Sequence, residues 1–468
     1  MPQSLRLYYV LAASFFFFGY QNPSYLWLLI VVILASYGAG LAIAVDPGRR
    51  KLYMGACVAL LLGLLGYFKY TDFAISLLDQ GLTAAGLPGR ITPLGILLPI
   101  GISFFVFQAI SYVVDVYRGD KGAERNLAVL ALYKAYFPQL VAGPIERSTH
   151  LLPEIRRTFA SNNPASPDPA MLSAGCRLIL LGFFKKLVVA DNIGVFADHV
   201  FADPSGHSGL AALLGVYCFA IQIYCDFSGY TDIARGVSRL MGIELMENFR
   251  RPYFAASIRE FWTRWHISLS SWFRDYLFKP LGGSRVSTQR WMFNISAVFL
   301  LSGLWHGASV NFLIWGGIHG AIYMTEQLLA GTARRLGLAG LRLSAFARRS
   351  LRVVAVLITF HIVCFAWIFF RAPGFNEAWA VVEAASAAFI PSQPLTGIGL
   401  FQRDSFAWIG LFVAVLLLID LAAEVTGDNG KALLRRAWPR WIVYALAALA
   451  IVFFGNWNNA QQFIYFQF

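Results

Sequence analysis

Residues 353–370 read VVAVLITFHIVCFAWIFF, eighteen consecutive positions in which Thr359 and His361 stand among apolar and aromatic side chains. A helix needs about 20 mostly apolar residues to cross the hydrocarbon core of a bilayer, so this run reads as a span. The stretch before it, 331–352, carries Arg334, Arg335, Arg342, Arg348, Arg349 and Arg352 and no acid. Basic loops stay in the cytoplasm, which fixes the direction of the crossing. Working outward, 371–404 falls on the outer side, where Glu377, Glu383 and Asp404 outnumber Arg371 and Arg403. The next span returns to Lys431, Arg435, Arg436 and Arg440, and one more leaves residues 457–468 outside.

The rest of the chain has the same character. Of 468 residues, 58% are hydrophobic and only 13% charged, about half the share of a soluble domain. Forty Phe, thirteen Trp and twenty Tyr suit a lipid-embedded chain with aromatic interfaces. This excludes a soluble enzyme, a disordered chain and a nucleic-acid module. The net charge of +13 follows from basic cytoplasmic loops and needs no polyanionic partner. Cys57, Cys176, Cys218, Cys225 and Cys364 lie in apolar stretches without a CxxC and read as buried apolar residues, with no metal site. Near the N-terminus, Arg6 precedes an apolar run that a second follows almost at once, so the first reads as a retained helix and not a signal peptide.

Candidate spans lie near 8–20, 24–45, 52–69, 94–113, 173–192, 209–230, 292–304, 309–328, 353–370, 405–423 and 441–455. The expected fold is therefore an all-α polytopic membrane protein with about eleven transmembrane helices. Residues 72–86 and 127–142 read as re-entrant or interfacial pieces, and 1–468 as one integral membrane domain. The extramembrane stretch 231–291 differs in kind. It mixes ten Lys and Arg residues with Phe261, Trp262, Trp265, Trp272 and Phe273, and Glu260 stands four residues before Arg264. Arg259, Trp262 and His266 fall at helical spacing. Amphipathic helices in the cytoplasmic interface fit this pattern, and a plain surface anchor is the simpler reading of the run by itself.

Seven histidines are present, and two stand out, each after a tryptophan: His266 in Arg264-Trp265-His266, and His306 in Leu304-Trp305-His306-Gly307. His306 sits between two apolar runs whose outer ends are both basic, which places it at membrane depth. There an ionisable side chain is costly and marks function by default, against the alternative of a hydrogen-bonded packing residue. Imidazole is also the side chain that exchanges a proton near neutrality. His150, His199 and His207 lie in polar loops as solvated groups, and His361 stands alone on an apolar helix as a hydrogen-bonded packing residue. Gln108, Asp115, Gln222, Asp226, Ser228, Asp232 and His319 are further intramembrane polar groups that a proton or ion relay could use, which keeps a polytopic glycan or lipid transporter open. The chain has no internal repeat and no pair of matched broken helices, which speaks against one.

Several stretches together resemble the membrane-bound O-acyltransferase family. They are Pro99-Ile100-Gly101-Ile102-Ser103-Phe104-Phe105 with Asp115-Val116-Tyr117-Arg118, the run 137–145, FPQLVAGPI, and the run 226–234, DFSGYTDIA. The strongest are Phe261-Trp262, 265–270 (WHISLS) and 272–276 (WFRDY), followed by Gly303-Leu304-Trp305-His306-Gly307. The likeness is to the bacterial exopolysaccharide acetylase branch, of which the membrane subunit of alginate O-acetylation is the type, and it spans residues 6–468. Members of that branch usually begin with one further apolar segment.

The resemblance implies that His306 is the catalytic histidine and His266 its partner on the cytoplasmic side of a tunnel. Acyl transfer to a hydroxyl needs a base for the hydroxyl proton and donors for the oxyanion, which suits both. It implies acetyl-CoA as the acyl donor, a substrate and not a bound cofactor, met by Trp262, Arg264, Trp265 and Arg274 in the basic, tryptophan-rich region. The implied setting is a bacterial inner membrane, with a polysaccharide synthase complex and a periplasmic acetyl-transfer protein as partners. The residues Gln462-Phe463-Ile464-Tyr465-Phe466-Gln467-Phe468 resemble the aromatic end of the small partner protein in teichoic-acid D-alanylation. That likeness suggests Tyr465 as an acyl relay; a hydrophobic plug is the other reading.

Overall fold

The structure is a computed structural model and describes residues 3–21, 23–87, 91–161, 168–207, 209–337, 344–390, 397–402, 404–427, 437–457 and 462–464. Helices make up the regular structure, with no strand among the described residues. The chain divides into two compact units, one of Met1–Ile179 with Ala234–Met246 and one of Leu180–Ile233 with Glu247–Phe468.

The first unit runs through α1 (Gln3–Gln21), α2 (Leu26–Val45), α3 (Arg50–Ala84), α4 (Ile102–Arg118), α5 (Leu127–Ala135), α6 (Phe137–Leu140), α7 (Ser148–Phe159) and most of α8 (Pro169–Phe183). Helix α4 is buried without interruption from Ile102 to Val113 and packs on α2 and α3. Its polar groups are satisfied inside: Asp115 accepts the Ser148 hydroxyl at 2.8 Å, and the buried Lys134 ammonium donates to the Gln108 carbonyl at 2.9 Å. Lys134 also lies over the rings of Tyr112 and Tyr133, which replace lost hydration through their π faces.

Four sequence expectations change here. Residues 72–84 do not form a separate interfacial piece but continue α3, a single helix of 35 residues. The span expected from residue 94 becomes helical only at Ile102, because Pro93 and Pro99 lack the amide hydrogen and disfavour helix before them. Gly101 turns the chain there with φ +79°, where a side chain would meet the Leu140 carbonyl. His150, expected as a solvated loop residue, lies in α7 and binds the buried Glu146 at 2.8 Å; that hydrogen bond raises its pKa. Cys176 is exposed, unlike the other four cysteines, because α8 turns only part of its circumference inward.

In the second unit α8 passes into a π-helical turn, Phe184–Ala190, then α9 (Asp191–Ala202) and α10 (Gly209–Leu240), the last residues of which belong to the first unit. There follow α11 (Ile258–Arg264), α12 (Ile267–Phe273), α13 (Thr288–His306), α14 (Val310–Arg335), α15 (Ala345–Arg371), α16 (Phe375–Ser386), α17 (Asp404–Thr426) and α18 (Ala437–Phe454). Its core is aromatic, with Trp265, Trp315, Trp367, Phe219, Phe227 and Phe261 fully buried.

By length and composition five segments among the described residues can cross a membrane: Pro23–Val45, Pro47–Ala84, Gly209–Leu240, Ala345–Arg371 and Asp404–Thr426. Leu5–Tyr20 and Arg440–Phe454 are shorter apolar helices. This count falls below the eleven expected. Helices α13 and α14 are long enough but bear Asn294, Asn311 and His319, all buried against protein, where polar side chains are tolerated at depth.

Candidate active site

The site is built from α13 and α14, which form a close hairpin. A side chain on Gly303 would run into the Phe312 carbonyl, and one on Gly316 into that of Phe299, so the two backbones touch only because these positions are glycine. His306 is the last residue of α13 and is 4% exposed. Trp315, one turn into α14, lies T-shaped on its ring at 5.0 Å, and Phe370 from the end of α15 does so at 5.3 Å.

The second histidine is placed by a broken helix. Ser257 caps α11 by accepting the Glu260 amide at 3.0 Å, while Glu326 of α14 accepts the amides of Ile258 and Arg259. The helix stops at Arg264, and Trp265 is extended. His266 takes φ +43° and ψ +55°, a left-handed conformation that costs a non-glycine residue about 1–2 kcal/mol. The helical spacing of Arg259, Trp262 and His266 therefore does not put them on one helix face. What over-determines the turn is the 248–250 segment. Arg250 donates to the Arg264 carbonyl at 2.9 Å and Ile267 to the Asn248 carbonyl at 3.0 Å. The Asn248 side-chain oxygen accepts the Ser268 amide and hydroxyl at 3.1 and 2.7 Å and faces His266 Nδ1 at 3.4 Å.

This turn aims His266, wholly buried, at His306, with ring centroids 6.3 Å apart. Trp305 borders both rings, at 5.8 and 5.0 Å, and Phe227 of α10 lies T-shaped on His266 at 4.7 Å. Burial lowers the pKa of His266 and favours its neutral form, in which one ring nitrogen accepts a proton. A pair of imidazoles walled by aromatic rings can take up and pass protons while excluding bulk water.

The four residues expected to meet a donor are placed differently from one another. Trp262 lies T-shaped on Trp315 at 5.7 Å and on His319 at 5.1 Å, one step from His306. Trp265 is wholly buried, stacked on Phe261 at 5.6 Å and against Trp367 at 5.0 Å, so it supports the turn from behind. Arg264 is engaged within the protein, on Glu260 at 2.5 Å and Glu424 at 2.9 Å. Burial alone would raise the Glu260 carboxyl, but the Ala256 amide, Arg264 and Arg352 bring it below its usual range. Arg274 extends into the open beside Asp275. Tyr465 lies outside the described residues, and no three His, Cys, Asp or Glu side chains gather as a metal site among those described.

Asn248 and Glu424 do not figure in the sequence reading. Asn248 gives no signal, being one polar residue in a loop. Glu424 had one, since it stands four residues after Asp420 on an otherwise apolar helix. His361, expected as a hydrogen-bonded packing residue, has the Tyr217 hydroxyl as its partner at 2.8 Å.

Two buried histidines thus meet at the end of the α13–α14 hairpin in a helical membrane chain, and comparison with known proteins gives its class. The profile of MBOAT, the membrane-bound O-acyltransferase family, matches residues 120–369, and the chain belongs to this family. Among individual relatives, it is 39% identical to the probable alginate O-acetylase AlgI of Pseudomonas putida over 498 aligned positions, covering 100% of this chain and 98% of that protein. The probable alginate O-acetylase AlgI of Pseudomonas aeruginosa is 39% identical over 82% of this chain and 72% of its own length. The peptidoglycan O-acetyltransferase of Helicobacter pylori is 34% identical over 82% and 74%. The protein is an O-acyltransferase of the membrane, which decides between enzyme and transporter.

Proposed function

We propose that the enzyme transfers acetyl groups from cytosolic acetyl-CoA across a bacterial inner membrane toward hydroxyls of an extracytoplasmic polysaccharide. The observation that carries this reading is the approach of His266 to His306 inside an aromatic enclosure, in a chain whose relatives are named as O-acetylases of alginate and peptidoglycan. His306 takes the proton of the acceptor hydroxyl as its oxygen attacks the thioester carbonyl. The carbon–sulfur bond then breaks, and the thiolate leaving the acyl carbon recovers a proton through the histidine pair. His266 holds the donor side of this exchange. Arg274, open to solvent, and Trp262 suit the phosphates and the acyl-bearing arm of the donor, while Arg264 and Trp265 act by fixing the turn that aims His266.

Tyr465 enters this scheme as a relay whose hydroxyl accepts the acetyl group before it reaches the polysaccharide. Its chain neighbour Ile464 is seated by the α10 carboxylate Asp226. A polysaccharide synthase complex and a periplasmic acetyl-transfer protein would complete the reaction. The test is incubation of the purified enzyme in vesicles with acetyl-CoA labelled in the acetyl group. Release of free CoA together with labelled acceptor supports the reading. Inert acetyl-CoA, with turnover of an acyl carrier-protein thioester instead, would move the enzyme to carrier-dependent transfer.

A further inference from the structure

One buried ionic cluster of the second unit takes no part in the chemistry above. Lys186, on the π-helical turn, bridges Asp191 at 2.7 Å and Asp226 at 2.8 Å. The other oxygen of Asp226 accepts the backbone amide of Ile464 at 2.7 Å. One residue earlier, Phe463 stacks on Tyr230 at 4.9 Å and meets the edge of Phe227 at 5.9 Å. Phe227 is the ring that lies on His266. Both Phe463 and Ile464 are buried. The π-helical turn holds the chain again upstream, where the Leu187 carbonyl accepts the Asn456 amide at 3.0 Å. Such turns displace the regular helix ladder and are found often at functional sites.

An ionised carboxylate buried among rings is stable only with charge and hydrogen-bond partners, and Asp226 draws one of them from the backbone of residue 464. Seating of this segment and order in the cluster are therefore coupled. The seated Phe463 backs the ring that covers His266, so the segment forms the outer layer of the wall around the histidine pair.

We propose that Asp226, held by Lys186, is a positioning residue that seats residues 462–464 as this wall, and that the seat keeps water from the thioester. The proposal rests on the acyl-transfer reading for its activity readout alone. With the seat loosened, a water oxygen bonds to the acyl carbon, the carbon–sulfur bond breaks and a water proton passes to sulfur, giving acetate and free CoA. Donor consumption is then uncoupled from transfer.

The full-length enzyme in detergent is compared as Asp226→Ala, Asp226→Asn and Phe463→Ala, with Asn keeping an oxygen for the Ile464 amide. In the first measurement Ile464→Cys is placed in each background and its alkylation followed by peptide mass spectrometry. The expected result is slow labelling with Asp226 or Asn, and at least tenfold faster labelling with Ala. The second measurement is the ratio of acetyl-CoA hydrolysis to acetyl transfer, expected to rise several-fold in Asp226→Ala and Phe463→Ala and to stay low in Asp226→Asn. Equal labelling in all backgrounds would overturn the seat. Faster labelling with an unchanged ratio would overturn the water barrier and leave only a packing contact. If the unmodified enzyme ignores acetyl-CoA, the donor reading fails, while the labelling arm still decides the seat.

Discussion

Arg264 meets Glu424 fork to fork, with its two terminal nitrogens each 2.9 Å from a different carboxylate oxygen, across 160 residues of chain. This pairing ties the end of α11, and so the turn that carries His266, to α17. Glu424 also takes Arg251 at 3.0 Å, and Arg352 reaches both Glu424 and Glu260, so one acidic pair gathers three arginines. Arg264 is thus a structural link whose guanidinium is already spoken for.

The first prediction follows from that geometry. Arg264→Lys keeps the charge and loses the paired hydrogen bonds, a loss of about 2 kcal/mol for a charged hydrogen bond in a shielded place. Thermal unfolding in detergent should show a lower midpoint for Arg264→Lys and for Glu424→Gln. The double variant should fall by less than the sum. Additive losses would mean that the two side chains do not act as a pair.

The backbone at His266 gives a prediction that separates side chain from conformation. Asn tolerates the left-handed region, whereas a β-branched residue there is strained. His266→Asn should extract and unfold like the parent while losing most acyl transfer. His266→Val should be destabilised by about 1–2 kcal/mol as well. Equal stability of the two would remove backbone strain from the account.

These positions also show what could be read from sequence. The span at 353–370 and the Glu260–Arg264 pair were legible because their cause is local: a continuous apolar run in one case, helical spacing in the other. The two histidines stood out because each follows a tryptophan, and His306 also because an ionisable residue at depth is costly. Their pairing was implied by the resemblance alone; its geometry was not legible, since it depends on Asn248, eighteen residues before His266, and on a left-handed turn that breaks the helical spacing. The polar residues of α13 and α14 were not legible for a related reason: hydropathy counts apolar residues and does not register that Asn311 finds its partner in the Ala372 carbonyl.

Orientation gives the third prediction. Single cysteines replacing Arg349 and Ser386 should be labelled by an impermeant reagent from opposite sides, Arg349→Cys from the cytoplasm and Ser386→Cys from outside. Labelling from the same side, or in reverse, would redirect the whole C-terminal half.

A fourth prediction concerns Tyr465. Replacing it by Phe removes one hydroxyl and keeps the ring, so folding should be unaffected. As a relay, Tyr465→Phe should consume little donor and acetylate no polysaccharide. Full activity would end the relay and leave the segment as a wall.

The central claim is that His306 is the proton acceptor in acyl transfer. It ends α13, and His306→Ala removes the imidazole from a position that Ala occupies without strain. The decisive measurement is transfer of labelled acetyl from acetyl-CoA to polysaccharide by His306→Ala in vesicles, at matched protein level and unfolding midpoint. A fall of at least a hundredfold, the scale of a lost general base, is the predicted result. Transfer within a few-fold of the parent would contradict the assignment.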